Sequence, residues 1–312
     1  MAQRLASSQV VAVVDDSTVG ADLAGEFAAA GLEVIRAPAY SAIQACGPPQ
    51  RRTVRSLEAS PSPTQGNPVV GRARIECITS LQDLPPNTAM VIDAAVGTFD
   101  AKIATLRAIE DSIDSTAVIA TAVTDHSVGE MATLLAHPGR LVGVRFFSPI
   151  ASSSVVEVVG GPDTANSTVH AVEGYLRAID KVGVVVKDMP GFITGRIGVA
   201  LSLEAIRLLE DDVADAASID RVMRDGFHYP FGPLTSTDLV GLDIRLAMAD
   251  HLHSAYGERF RPPALLREKV ARGELGRSTG QGFFTWDGDI AATPRSSSQP
   301  LSRAPMGVTR GA

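Results

Sequence analysis

The chain has 312 residues, enough for two domains with a substantial core, and its formal charge of −7 argues against a nucleic-acid surface or a basic membrane patch. Its two cysteines, Cys46 and Cys77, offer neither a disulfide framework nor metal-ligand spacing, and no apolar run approaches the roughly 20 residues a membrane helix needs. With no signal-peptide make-up at the start, the expectation is a globular cytoplasmic protein with no metal, no nucleic acid and no membrane as partner.

Val10–Val14 is a short continuous apolar run, as a buried parallel strand requires. It leads through Asp15-Asp16-Ser17-Thr18-Val19-Gly20 into a helical pattern ending at Gly31, after which Glu33–Ile35 resumes as strand. Such a strand–turn–helix–strand unit opens a dinucleotide-type fold. Residues 48–72 are rich in Pro, Ser and Arg and show no sustained period, so a surface connection is expected there. Met90–Ala94 and Ala117–Thr121 read as further strands, the first followed by a helix carrying Lys102, the second by Ala122-Val123-Thr124-Asp125-His126-Ser127.

Two apolar runs, Leu141–Phe147 and Val155–Val159, flank a corner at Phe146-Phe147-Ser148-Pro149. Pro149 has no N–H for a strand ladder, so the chain turns there and brings Arg145 close to Glu157. A helix over 168–179 and a strand over Lys181–Val186 complete the first domain. Asp188-Met189-Pro190-Gly191-Phe192 then punctuates the chain before a long helix over Phe192–Asp211, whose apolar residues are spread too widely for packing on one side only. His251 and His253 lie two apart on a helix and make a poor metal pair. From Ala291 onward the composition is that of a disordered tail.

These motifs resemble the short-chain L-3-hydroxyacyl-CoA dehydrogenases, with the 3-hydroxybutyryl-CoA dehydrogenases among them, over about residues 8–288. That family has H-F-F-N-P followed by a strand L-V-E-V where this chain has Arg145-Phe146-Phe147-Ser148-Pro149 and Val155–Val159. The resemblance implies a Rossmann-like α/β domain with a mostly parallel sheet over residues 1–187. An all-helical C-terminal dimerisation domain over 188–290 and a tail over 291–312 would follow. It also implies a homodimer through the helical domain and an acyl-type small-molecule substrate.

Carried over residue by residue, the family's catalytic His falls on Arg145, its orienting Glu on Glu157, a cleft Ser on Thr124, and two Asn on Ser148 and Gly195. Its G-x-G-x-x-G glycines fall on Asp15, Ser17 and Gly20, and the acid that holds the adenosine ribose falls on Pro38. Asp15 and Asp16 place negative charge where a pyrophosphate meets a helix N-terminus, so no cofactor is expected, Asp15, Ser17 and Gly20 being a remnant turn. Arg145, Glu157, Thr124 and His126 are the candidate catalytic residues, and Ser148, Lys102 and Arg196 the candidate substrate contacts. Arginine stays charged throughout physiological pH and cannot act as a general base. Arg145 would therefore stabilise an oxyanion or recognise a carboxylate, or else form a bidentate pair with Glu157 that merely fills the pocket. Non-redox chemistry on a β-hydroxy or β-keto acyl substrate is the expected function. Its alternatives are an NAD(P)-dependent oxidoreductase with atypical cofactor binding, Arg36 meeting a 2′-phosphate, and a non-catalytic binding subunit.

Overall fold

A computed structural model describes residues 9–15, 18–39, 75–123, 126–147, 149–288 and 290–292. The first of its two compact units runs to Thr194 and is built on an eight-stranded sheet. Its strands are β1 (Val10–Asp15), β2 (Glu33–Pro38), β3 (Ile75–Cys77), β4 (Thr88–Asp93), β5 (Val118–Ala122), β6 (Leu141–Arg145), β7 (Val155–Gly160) and β8 (Val182–Lys187). They lie in the order β3-β2-β1-β4-β5-β6-β7-β8. All neighbours pair in parallel except β6 and β7.

The sheet's continuous apolar runs arise because both of its faces are covered. Val11 and Val13 of β1 point into one core with Leu23, Ala24 and Phe27 of helix α1 (Thr18–Ala29) and Tyr175 and Leu176 of α4 (Asn166–Ala178). Val10, Ala12 and Val14 point into the other, with Leu106 and Ile109 of α2 (Phe99–Ser112) and Met131 of α3 (Val128–Ala132). The period-2 alternation of a strand thus serves two helical layers at once.

The corner at Pro149 is the expected one, and it places Arg145 opposite Glu157 in the β6–β7 register. A short 3₁₀ turn, Ile150–Ser152, follows Pro149. Buried Lys181 fixes it by donating to the carbonyls of Ile150 and Ser153. β8, at the sheet edge, leaves Val182 and Val185 exposed.

The second unit begins at Gly195. It holds most of α5 (Thr194–Glu210), then α6 (Ala216–Arg221), α7 (Pro233–Val240), α8 (Leu242–Tyr256) and α9 (Ala264–Ala271). Val199, Leu203, Ile206, Leu234, Leu252 and Leu266 form its core with Phe283, Phe284 and Trp286. Buried Asp238 organises the last segment by accepting from the backbone N–H groups of Phe283 and Phe284 and from Trp286 Nε1. A Cβ on Gly282 would stand 2.3 Å from that carboxylate, so only glycine fits there. The expected tail starts too early: Ile290–Ala292 forms a strand, β10, against β9 (Thr285–Asp287). The loop over 48–72 and residues beyond 292 lie outside the described residues. Among the described residues no helix is long and apolar enough to cross a membrane.

Candidate active site at the carboxyl edge of the sheet

In doubly wound sheets ligands bind beyond the carboxyl ends of the parallel strands. Here that edge collects Asp15 from β1, Arg36 and Pro38 from β2, Asp93 from β4 and Arg145 from β6, with Glu157 beside Arg145. Thr124, Ser148 and Ser17 fall outside the described residues. His126, just beyond β5, is half-buried with its ring edge-on to Phe99, centroids 5.4 Å apart.

Asp15 does not stand alone. Its carboxylate accepts from Arg36 Nε at 3.0 Å and Nη2 at 2.7 Å, with side-chain exposures of 1% for Asp15 and 24% for Arg36. Its side chain packs directly against Gly20, where an added Cβ would stand 2.2 Å from Asp15 Cβ. The surviving third glycine of the turn therefore makes room for the aspartate that replaces the first. The side-chain hydrogen bond to Asp15 raises the Arg36 pKa above its ordinary value. Period-2 reading of the two parallel strands could have found this pair: Asp15 aligns with Pro38, and Arg36 shares Pro38's face two residues earlier.

Lys102, a substrate contact by resemblance, is buried instead. Its Nζ lies 3.0 Å from Asp93 Oδ2 and donates to the carbonyl of Ala95 at 3.0 Å. Asp93 also accepts from Thr121 Oγ1 and the Ala95 N–H, so the cluster locks the β4–α2 connection to β5.

Glu157 departs from the expected bidentate pair. Arg145 Nε stands 3.8 Å from Glu157 Oε2, too far for a hydrogen bond. The carboxylate accepts instead from the N–H groups of Ile193 at 2.9 Å and Thr194 at 3.1 Å, and from Thr194 Oγ1 at 2.7 Å. A buried anion thus satisfies orphan N–H groups at the start of α5, where the helix dipole favours it. Arg145 keeps a guanidinium at the edge of the site, near enough to Glu157 for charge compensation.

One residue missed by sequence reasoning ties this region together. Asp188 accepts from Ser127 Oγ at 2.7 Å and from the Gly129 N–H at 2.8 Å, joining the end of β8 to the start of α3. The signal was the Asp188–Phe192 motif, read only as a junction. An open groove of about 640 Å³ beside α3 is bordered by Phe99, Glu130, Pro162, Asp163 and Asp188, and its carboxylates make it a poor seat for phosphate. In the second unit the Arg196 guanidinium carbon sits over the Tyr256 ring, 4.4 Å from its centroid.

This strand order, with α1 opening behind β1 and no acid in its first turn, defines a protein of the dinucleotide-binding Rossmann class joined to a helical unit. Residues 10–189 match the family model for the 3-hydroxyacyl-CoA dehydrogenase NAD binding domain, and residues 191–286 match the C-terminal domain model of the same enzymes. The chain belongs to the 3-hydroxyacyl-CoA dehydrogenase family. It is similar to the 3-hydroxybutyryl-CoA dehydrogenase of Clostridioides difficile, 28% identical over 89% of this chain and 99% of that protein. It is 31% identical to the probable 3-hydroxybutyryl-CoA dehydrogenase of Deinococcus radiodurans, over 68% of this chain and 77% of that one. The crystal structure of (S)-3-hydroxybutyryl-CoA dehydrogenase from Ralstonia eutropha superposes with a TM-score of 0.76 at 28% identity, covering 90% of this chain and all of that one.

These findings overturn the expectation that no cofactor is used, because the matched domain is an NAD-binding one and the relatives are dehydrogenases. They favour the redox alternative over cofactor-free chemistry. The physical reason lies at Asp15. Read from the sequence, its charge faces the pyrophosphate unopposed; in the fold it packs against Gly20 and is neutralised by Arg36. The described part of the turn therefore fits a dinucleotide.

Proposed function

We propose that this chain is an NAD(P)-dependent oxidoreductase that interconverts 3-hydroxyacyl and 3-ketoacyl groups. The dinucleotide, when bound, supplies the hydride. The start of α1, Gly20 and the Asp15–Arg36 pair would hold it. The observation that carries the site's chemistry is Arg145 at the end of β6, beside the buried Glu157. A guanidinium is not a base at neutral pH, so the proton that leaves the hydroxyl on oxidation, or returns to it on reduction, moves through another group. In either direction a guanidinium at the site's edge stabilises the alkoxide-like charge that develops on the 3-oxygen. Glu157, committed to the start of α5, acts by holding that edge in place rather than by carrying protons. His126 is the proposed proton donor, since it follows β5 at the same edge of the sheet.

The test is consumption of NADH and NADPH with a panel of 3-ketoacyl-CoA esters. Arg145→Met should fold and lose on the order of 10²–10³ in kcat. Parental activity in that variant would remove Arg145 from the chemistry. A second reading, a binding subunit without turnover, is favoured by the engagement of Glu157 away from Arg145. It predicts acyl-CoA binding with no consumption of either reduced dinucleotide. We further propose a homodimer through the helical unit, whose surface exposes Ile197, Val222, Phe227 and Phe231.

A further inference from the structure

We infer that this chain selects a dinucleotide carrying a 2′-phosphate on its adenosine ribose, with Arg36 as the phosphate-binding residue and Asp15 as the buried group that positions it. The inference rests on the redox reading above and adds the cofactor's chemical class to it.

In this fold the adenosine ribose lies beyond the end of β2, and a carboxylate there accepts from its 2′-hydroxyl when the cofactor lacks the phosphate. Here β2 ends at Pro38, followed by buried Ala39, and neither side chain can accept a hydrogen bond. The carboxylate that register brings near is Asp15, whose Cα pairs with that of Pro38. It is buried, and both its oxygens are engaged by Arg36. Among the described residues, then, the end of β2 offers nothing to the hydroxyl and no free anion to repel a phosphate.

Arg36 supplies the complementary group. One edge of its planar fork, Nε with Nη2, is spent on Asp15. The edge carrying Nη1 makes no hydrogen bond to a described residue, and the side chain keeps 24% of its surface exposed. Asp15 is buried and wedged against Gly20, so it cannot follow a moving partner. The guanidinium is therefore held at the carboxyl edge with one edge of donors not taken by a described residue, and little side-chain entropy is lost when a phosphate arrives. Because the Asp15–Arg36 pair is neutral overall, the preference comes from directed donors rather than from a net positive patch. A hydrogen bond between two charged groups of this kind is worth about a 10- to 100-fold gain in affinity.

Equilibrium titration of the full chain by calorimetry, with NADPH against NADH and 2′,5′-ADP against 5′-AMP, tests the inference. NADPH should bind at least about tenfold tighter than NADH, and 2′,5′-ADP tighter than 5′-AMP by a similar factor. Arg36→Leu alone strands a buried carboxylate, so the variant of choice is Asp15→Asn with Arg36→Leu. In it the NADPH-to-NADH affinity ratio should fall toward one. Asp15→Asn alone should keep a preference for NADPH but a reduced one, because its partner is less firmly held. Equal or tighter binding of NADH by the parent chain overturns the selectivity and leaves the redox reading standing. Binding of neither dinucleotide overturns both. A parent preference for NADPH that survives intact in the double variant overturns the assignment to Arg36.

Discussion

Replacing Glu157 by Ala should destabilise the first unit by about 3 kcal/mol, chiefly by leaving the start of α5 without an acceptor. Three donors lose their partner: the Ile193 and Thr194 N–H groups and Thr194 Oγ1. Each stranded donor costs about 1–3 kcal/mol, with the low end apt because Ile193 and Thr194 are not fully buried. A lost anion at a helix N-terminus adds about 0.3–1 kcal/mol. Against this, the variant no longer pays the desolvation of a carboxylate that is 2% exposed. The net should lower the midpoint of thermal unfolding by roughly 6–12 °C, at about 2–4 °C per kcal/mol for a unit of this size. Glu157→Gln keeps one acceptor oxygen and should cost about half as much. Circular dichroism melts give the total. Hydrogen exchange at the Ile193 and Thr194 amides locates it, because those two should lose protection first. A Glu157→Ala variant melting within about 1 °C of the parent, with both amides still protected, refutes the reasoning.

Lys102→Met should cost about 3–5 kcal/mol, because it leaves Asp93 charged and fully buried, while the paired Asp93→Asn, Lys102→Met change should recover much of that in urea unfolding. Glu274 is held at about 2, well below its usual 4.5, by hydrogen bonds from Arg272 and Lys269. A depressed carboxylate contributes stability that is present above its unfolded value and lost as pH falls from about 5 toward 2. Glu274→Gln should therefore flatten the acid side of the stability curve, by less than about 1 kcal/mol for so accessible a pair. Light scattering at micromolar concentration should give about twice the chain mass, and Phe227→Glu with Ile197→Glu should halve it. A clean monomer in the parent removes the partner argument.

The β1 strand was legible because a strand buried on both faces must be apolar throughout, and Val10–Val14 is. The Arg145–Glu157 register was legible because Pro149 forces the turn and the apolar runs fix the pairing. What escaped were side-chain partners distant in sequence. Glu157 reaches Thr194, 37 positions away, and nothing local to either residue announces it. Lys102 reaches back from its helix to Asp93 at the end of β4, an ion pair that the match to a substrate contact does not announce. Asp15 misled most, since a charge judged alone has the opposite meaning from a charge with a bidentate partner two strand positions back on β2. The β-α-β pattern makes β1 and β2 neighbours, and the alternation of side chains along them puts Arg36 and Pro38 on one face beside Asp15.

The central claim is hydride transfer by a chain that has Arg145 where its family has a catalytic base. Incubation with a 3-ketoacyl-CoA ester and a reduced dinucleotide deuterated at the transferable nicotinamide position tests it directly. The account predicts a 3-hydroxyacyl product one mass unit heavier at C3, formed by the parent chain and strongly reduced in Arg145→Met. Unlabelled product, or none with either dinucleotide across the panel of chain lengths, would contradict it.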